Sequence, residues 1–474
     1  MSNKFNPPAY DLDDMNDDVA KKKHFFNIYL KYADKGKDIH ITQMGYKTIF
    51  DLMSSRAFKD FDNLSPEYID KYTDLQKYSF AKTFFGAVMH LPTNSAWKYR
   101  KTTFTKTIGL NFSRRYISTM LSNAKKLFDE WKEGDTHNFI PIINRFTLKV
   151  ISSIILGNDF DEKFRKMKYK HHDGSVETLD VYQLFPILGK DLMKTMQRPI
   201  NALFPVLIDY NIGSDNKINS ENIKEFRSAL KDFLDNTTDQ ESSYAQIKNE
   251  CPEYSYEDLF NDLMGWLFDG YETLSECIST TLYHLNKNPE CHKKVMEELK
   301  QVGFTQDENL IKSITYPRLQ ELNYLTMVIK ESLRIDPPLP RSMHFYAKAD
   351  ITIAGVPLPK NSLMSMTFIA RHYDPEQWHE PYKYIPERFD PDHELYLKPG
   401  TKSPRDQLSF VAFSNSVRKC PALTFAYLEL KTILVYFLSR FEYKVDQELL
   451  DNNHVKYAVT STFPLNMTIT KKMI

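Results

Sequence analysis

Apolar positions recur at helical spacing through much of the chain, from about Tyr68 to Ser242. The segment Asn138–Leu156 is apolar enough to predict a buried helix that ends at Gly157. The segment Asn219–Asp235 has the pattern of a capped amphipathic helix. Nearer the N-terminus, the alternation over Asp38–Phe50 predicts a strand that passes into a helix.

The longest predicted helix runs from Ser255 to Asn286. Ser255 and Asp258 form a start that is similar to a capping box, in which a side chain satisfies backbone N–H groups of the first turn. Helical spacing is then kept by Leu259, Leu263, Leu267, Tyr271, Leu274 and Ile278.

The C-terminal half adds helices and most of the predicted strands. Pro289 suits the first turn of the next helix, and Tyr316–Arg334 predicts another helix that Pro337–Pro338 ends. The stretch Ser342–Phe368 is rich in strand-forming residues, with Ile351–Asn361 as a hairpin. The fold class is therefore mainly α with a smaller β region, which is assembled from both ends of the chain and this stretch.

Composition narrows the class of protein. The 474 residues contain 62 basic and 62 acidic side chains, so net charge gives no case for nucleic-acid binding. We find no linker or repeat, and we expect one domain over residues 25–474 after a polar, disordered head over 1–24. Four cysteines in so long a chain indicate a reduced, intracellular protein rather than a disulfide framework. Since no apolar run approaches the roughly 18 residues that cross a bilayer, we expect the chain as written to be soluble.

The most informative residue is Cys420, which directly precedes Pro421 and a long apolar run. Pro421 suits a first helical turn, and the helix dipole with Arg418 and Lys419 favours a thiolate over a thiol. A thiolate in such a loop is a good axial ligand for haem iron. The alternative is a buried cysteine thiol beside a helix cap. The helix that follows is expected to end near Arg440.

The cysteine loop resembles the haem-binding signature of the cytochrome P-450 superfamily, Phe-x-x-Gly-x-Arg-x-Cys-x-Gly. Phe413, Arg418 and Cys420 match this signature, while Ser416 and Ala422 stand where the family has glycine. Serine is the more serious change, because that glycine lets the loop turn tightly beneath the sulfur.

The resemblance covers nearly the whole chain and implies a cytochrome P-450 fold, with haem between the long central helix and the cysteine-loop helix. It implies haem b (iron protoporphyrin IX) with Cys420 as axial metal ligand and Phe413 against the sulfur side of the haem. It also implies O2, a lipophilic small-molecule substrate and electrons from NADPH through a reductase or another donor. If an N-terminal anchor is missing from this sequence, the resemblance implies a place on the cytosolic face of the endoplasmic reticulum membrane.

A second match combines Glu331 and Arg334 with the later run Pro386-Glu387-Arg388-Phe389. Glu and Arg three residues apart share one helix face. By resemblance, Glu331, Arg334 and Arg388 form a buried ion triad with a structural role.

The third match lies midway along the long helix, where Gly270, Glu272 and Thr273 fit the family motif Ala/Gly-Gly-x-Asp/Glu-Thr. Asp269 replaces the small first residue. An acid–alcohol pair is able to hold a water and deliver protons, which gives Glu272 and Thr273 the catalytic role. The alternative is a solvated charge beside a threonine that bonds within its helix. Close approach of a flat ligand would explain Gly270.

Further haem contacts follow from the resemblance. Trp97 with Arg100 or Lys101 is similar to the Trp-x-x-x-Arg that binds a haem propionate, although the arginine comes one residue early. His344 aligns with another propionate-binding arginine, and Arg341 lies nearby. The alternatives are a solvated basic face at 100–101 and an ordinary strand histidine at 344. Arg418 is the main propionate candidate.

The resemblance also implies a docking face for an electron donor. Its candidates form a basic patch, namely Arg114, Arg115, Lys125, Lys126 and Lys419.

These observations favour a haem-thiolate monooxygenase. One rival is a reductase-independent hydroperoxide isomerase of the same fold, a type that tends to lack the acid–alcohol pair. The other is a catalytically degenerate haem-binding protein, which Ser416 and Asp269 support. The substrate is not readable beyond "lipophilic", from the apolar segments around 87–94, 184–204 and 460–465.

Overall fold

The structure is a computed structural model. It describes residues 37–44, 47–72, 88–198, 200–201, 204, 206–304, 310–446 and 465–472. The predicted polar head over 1–24 lies outside these residues.

Helices make up most of the described residues. In chain order they are α1 (Ser55–Leu64), α2 (Ser95–Thr107), α3 (Ser113–Phe128), α4 (Phe139–Ile155), α5 (Phe160–Lys163), α6 (Val181–Gln197), α7 (Val206–Asp209), α8 (Ser214–Asn236), α9 (Ser243–Glu250), α10 (Tyr256–Lys287), α11 (Pro289–Val302), α12 (Leu310–Ser313), α13 (Tyr316–Gln320), α14 (Asn323–Ile335), α15 (Phe368–His372) and α16 (Leu423–Leu438). None of these helices is both long and apolar enough to span a bilayer.

The strands form a smaller β region. They are β1 (Ile39–Met44), β2 (Lys47–Leu52), β3 (Ile69–Lys71), β4 (Thr136–Asn138), β5 (Met167–Lys170), β6 (Val176–Leu179), β7 (Phe345–Ala347), β8 (Ile351–Ile353), β9 (Val356–Leu358), β10 (Leu363–Met366), β11 (Phe441–Val445) and β12 (Asn466–Lys472). The largest sheet has five strands in the order β1-β2-β10-β7-β3, and β11-β12-β4 form a three-stranded sheet. Strands from both ends of the chain and the 342–368 region therefore build the β region, as predicted.

The chain forms two compact units. Unit 1 comprises Met1–Asp70, Phe128–Ile140 and Ser275–Ile474, and unit 2 comprises Lys71–Leu127 and Pro141–Leu274. Helix α10 contributes residues to both. One haem-thiolate domain over 25–474 stays a prediction.

Unit 1 has a core between its five-stranded sheet and α1. Phe58 and Phe61 of α1 pack with Met364 and Phe345 of the sheet, and these four side chains are buried. Ser54 begins the helix, since its side chain accepts the N–H of Ala57 at 3.1 Å.

Unit 2 is mainly helical, with the small β5–β6 hairpin attached. The predicted buried helix over 138–156 is α4, which is followed by Gly157 at φ +125°. This positive φ suits glycine and explains why the helix ends there.

The long helix is confirmed almost residue for residue. Its predicted span of 255–286 compares with Tyr256–Lys287 for α10. Ser255 accepts the N–H of Asp258 at 3.1 Å, which gives the expected side-chain cap. The helix that begins at Pro289 and the hairpin within 351–361 are also confirmed.

One prediction near the N-terminus was wrong. The segment 38–50 does not pass into a helix, because β1 and β2 pair as an antiparallel hairpin with Ile39 opposite Leu52. Pairing with β10 places β2 inside a sheet, and that partner is remote in sequence.

Two helix boundaries also differ. Helix α8 begins at Ser214 rather than Asn219, and Asn219 is fully buried inside it. The predicted helix 316–334 consists of α13 and α14, which Glu321 and Leu322 separate. Apolar periodicity runs across this break, so the pattern did not reveal it.

Candidate functional site

The cysteine loop lies directly before α16 in unit 1. Cys420 is half-buried and carries a thiol rather than a disulfide. Its backbone N–H donates to the carbonyl of Phe413 at 2.9 Å, which closes the loop on itself. The ring of Phe413 lies 5.5 Å from the ring of Tyr427 on α16. The helix begins at Leu423, so Pro421 precedes the first helical turn instead of lying in it.

The loop turns at a different residue from the one expected. Ser414 has a φ of +61°, in the left-handed region, whereas Ser416 begins a 3-10 turn that ends at Arg418. A 3-10 turn has negative φ, which serine adopts without strain. The backbone at position 416 therefore does not need the glycine that the family signature has there.

Arg418 is an enclosed cation. Its side chain is 12% exposed and lies 3.6 Å from the carboxylate of Asp70. Burial lowers the pKa of Arg418 to about 10, and Asp70 offsets only part of that cost. The guanidinium stays charged at neutral pH, and a second anion would stabilise it further.

The segment before β7 holds Arg341 and His344, the other two residues of this unit considered for a haem propionate. Arg341 lies 3.6 Å from Asp51, a fully buried carboxylate that also accepts hydrogen bonds from Thr42 and Ser365 at 2.5 Å. His344 is half-buried immediately before the strand.

In unit 2, the motif of the long helix occupies a half-buried stretch in the middle of α10. Phe268, Asp269, Gly270, Glu272 and Thr273 are all half-buried, whereas residues 261–267 before them are buried. The hydroxyl of Thr273 donates to the backbone carbonyl of Asp269 at 2.8 Å. This bond places Thr273 one turn after Asp269 on the same helix face.

Asp269 lies in an apolar setting. Burial raises the pKa of its carboxyl to about 7, although the charge of Lys71 acts in the opposite direction. The side chain nevertheless keeps accessible surface. Both observations are explained if Asp269 faces an enclosed space rather than bulk water.

Gly270 is required by the packing of two helices in unit 2. A Cβ at this position would lie 2.8 Å from Cγ1 of Ile151 on α4. Close packing of the neighbouring helix is therefore sufficient to account for the glycine. That Gly270 also contacts a cofactor stays a prediction.

Helix α2 carries the Trp97 motif. Trp97 is buried, and Nζ of Lys101 lies 5.0 Å from the centre of its ring. Such a cation–π contact fixes the lysine stem along the indole.

Arg100 is held by carboxylates. Its guanidinium lies 2.7 Å from Asp262 and 2.9 Å from Asp258, and its Nε is 3.3 Å from the hydroxyl of Tyr254. Asp262 also accepts the backbone N–H of Val88 at 2.8 Å. Arg100 therefore joins α2 to the start of α10, and of the two predicted cations Lys101 is the better candidate for an external anion.

Sequence reasoning missed this network. The available signal was the pair of carboxylates at 258 and 262, one turn apart on α10. Nothing in the sequence showed that Arg100 would meet them.

The predicted ion triad is confirmed in unit 1. Glu331 receives Nε and Nη2 of Arg334 at 2.8 Å and Nε of Arg388 at 3.0 Å. All three side chains are fully buried. The backbone N–H of Ile385 also donates to Glu331 at 2.9 Å. The triad thus fixes the segment around 385–388 onto α14.

A buried carboxylate on α16 was also missed. Glu429 is fully buried, and neither carboxylate oxygen has a hydrogen-bond partner among the described residues. Burial raises the pKa of Glu429 well above its usual range. The signal was an acid inside a largely apolar helix.

The structure changes the predicted basic patch. Arg115 lies 3.6 Å from Asp239 and 3.4 Å from Glu241, so its charge is already paired. Lys125 and Lys126 are exposed in the last turn of α3, and Lys419 is exposed in unit 1. The side chain of Arg114 lies outside the described part of the structure.

Comparisons with known proteins agree with these motifs. A model of the family described as Cytochrome P450 matches residues 17–465. The chain is 29% identical over 342 residues to Cytochrome P450 3A41 of Mus musculus, an alignment that covers 69% of this chain and 62% of that relative.

Other relatives are similarly distant. The chain is 25% identical over 394 residues to Cytochrome P450 4A14 of Rattus norvegicus, with 77% of this chain and 71% of that relative covered. It is 23% identical over 401 residues to Cytochrome P450 4F8 of Homo sapiens, with 80% and 73% covered. The chain spans 62% of the length of the mouse relatives that it matches.

Proposed function

Since this chain belongs to the cytochrome P450 family, we propose that it is a haem-thiolate monooxygenase. It inserts one atom of O2 into a lipophilic organic substrate and reduces the other atom to water. The electrons come from NADPH through a reductase. The single observation that carries this proposal is the Cys420 loop, which holds a half-buried thiol two residues after a desolvated cation.

The donor set fits haem b. Cys420 supplies one soft thiolate, the ligand type that haem iron accepts. Enclosed Arg418 suits a carboxylate such as a haem propionate, since burial has left its charge only partly compensated. Lys101, His344, Trp97 and Gly270 are the further proposed contacts, while Arg100 is less suited to this role because two carboxylates already hold it. When bound, the haem supplies the iron centre at which O2 is activated.

Thr273 and Glu272 are proposed to manage protons. The hydroxyl of Thr273 donates its hydrogen bond to the backbone carbonyl of Asp269, so its oxygen lone pairs are left to accept from a water. Glu272 is half-buried on the same part of α10 and is able to exchange protons with solvent. Together the two side chains hold a water in place and renew its protons.

The absorbance spectrum of the reduced protein with CO tests the proposal. The wild-type chain is expected to give the thiolate type of spectrum. Cys420→Ser is expected to abolish it, while Cys291→Ser, which changes another partly buried thiol, is expected to keep it. A colourless protein after expression with ample haem, or an unchanged spectrum for Cys420→Ser, would refute the proposal.

Thr273→Ala tests the proton role separately. The variant is expected to keep its haem but to consume O2 and NADPH with much less product, because the water is no longer held. Comparing O2 consumed with product formed measures this coupling. Unchanged coupling would remove Thr273 from the mechanism.

The co-substrates that the protein needs distinguish a hydroperoxide isomerase from the proposed monooxygenase. Such an enzyme forms product from a hydroperoxide alone and needs no NADPH or reductase. The proposed monooxygenase requires both when O2 is the oxidant. A thiolate spectrum with no turnover on broad substrate panels would instead indicate the degenerate haem-binding protein.

A further inference from the structure

Asp269 stands out on the long helix because of where its carboxylate lies. It replaces a small residue of the family motif and is one turn before Thr273 on the same face of α10. It belongs to the half-buried part of the helix, with buried residues before it. A carboxylate is thus placed next to the hydroxyl that we assign to proton handling.

The protein itself does little to stabilise this carboxylate. Among the described residues, no hydrogen bond reaches its side-chain oxygens. Lys71 is the cation that acts on it, yet burial outweighs this attraction and keeps the pKa of Asp269 raised to about 7. A desolvated carboxylate without a hydrogen-bonded partner is unfavourable. Its charged form would be stabilised by a cation that enters beside it.

We infer that Asp269 determines specificity by pairing with the ammonium group of a lipophilic amine. An ammonium neutralises the carboxylate and donates a charge-assisted hydrogen bond to it. A hydroxyl or a neutral amide carries no charge and donates a weaker hydrogen bond. The half-buried ring of Phe268, the residue before Asp269, suits the hydrocarbon portion. The inference rests on the proposed function in taking the Thr273 face as the substrate side of α10.

Equilibrium dialysis of the haem-loaded protein tests this inference without relying on turnover. The probes are N,N-dimethyldodecylamine and 1-dodecanol, which share one chain and differ in charge. The amine is protonated at neutral pH, so it has no lone pair to offer iron. The variants are Asp269→Asn, which removes the charge, and Asp269→Glu, which keeps it. Glu257→Gln is the matched control, since Glu257 is an exposed acid on the same helix that pairs with Arg227.

The wild-type chain is expected to bind the amine at least about tenfold more tightly than the alcohol, as one buried ion pair would give. Asp269→Asn is expected to abolish this preference and to leave alcohol binding within roughly twofold. Asp269→Glu and Glu257→Gln are expected to retain the preference.

Two results would overturn the inference. One is a wild-type chain that binds the two probes equally, a result that does not depend on any variant folding. The other is an Asp269→Asn variant that keeps the preference. The CO spectrum of each preparation is recorded alongside, so a protein with a thiolate spectrum but no amine preference defeats the inference alone. Loss of the thiolate spectrum in the wild-type chain defeats the proposed function instead.

Discussion

Glu331 in unit 1 and Asp269 in unit 2 are two enclosed carboxylates with opposite surroundings. Glu331 is fully buried and receives hydrogen bonds from Arg334, Arg388 and the backbone of Ile385. Asp269 keeps accessible surface, its side-chain oxygens receive no hydrogen bond among the described residues, and its pKa is raised to about 7. A carboxylate whose oxygens all receive hydrogen bonds from the protein holds chain segments together. A carboxylate that lacks such hydrogen bonds but keeps accessible surface is available to a ligand.

Glu429 adds a third case within unit 1. It is as buried as Glu331 but, like Asp269, has no hydrogen-bond partner among the described residues. Having no accessible surface, it cannot be satisfied by a ligand from solvent. Burial raises the pKa of its carboxyl well above the usual range, so the fold favours the protonated form.

The largest expected effect is for Glu331→Ala. Removing Glu331 leaves Arg334 and Arg388 as uncompensated buried charges, which costs about 3–5 kcal/mol. We expect aggregated or haem-free protein, measured by the soluble yield and the ratio of haem to protein. Glu376→Ala removes an exposed acid of the same unit and is the control. A soluble, haem-loaded Glu331→Ala would show that the triad does not hold the segment 385–388.

An intermediate effect is expected for Asp269→Asn as a function of pH. The folded pKa of about 7 lies above the ordinary value of 3.8, so the folded chain retains a proton that the unfolded chain has released. The free energy of unfolding of the wild-type chain therefore falls as pH rises through this interval. The variant lacks this dependence, and we expect it to gain about 1–3 kcal/mol over wild type between pH 5 and pH 8.

Urea unfolding of the haem-free chain at several pH values measures this gain. Glu257→Gln is again the control, because an exposed acid changes stability little. A constant difference between Asp269→Asn and wild type would show that Asp269 is ionised normally in the folded protein.

The smallest effect is expected for Glu429→Met. A methionine of similar length fills the same space without placing unsatisfied polar atoms in the core, and we expect a gain of about 1–2 kcal/mol. Urea unfolding near neutral pH measures it, with Glu429→Gln as a comparison that keeps the polar atoms. A loss of stability in Glu429→Met would mean that the carboxyl makes a favourable interaction that its surroundings do not show.

Local patterns along the chain predict much of the fold. The span of α10, the start of α11 at Pro289 and the hairpin within 351–361 follow from periodicity, caps and turn residues close in sequence. The triad at Glu331 is also predictable, because family resemblance links a helix motif to a distant Pro-Glu-Arg-Phe run.

The amino-acid sequence by itself determined the family motifs around Cys420, the helical periodicity and the types of residue available for chemistry. Only the tertiary structure decided which of those residues meet: Arg100 with Asp262, Gly270 with Ile151, and, among the described residues, Glu429 with no hydrogen-bond partner. Helix spacing and caps are set by interactions within a turn or two of chain. Whether a buried charged group finds hydrogen-bond partners depends on atoms from segments remote in sequence. The linear pattern of residues does not carry that information.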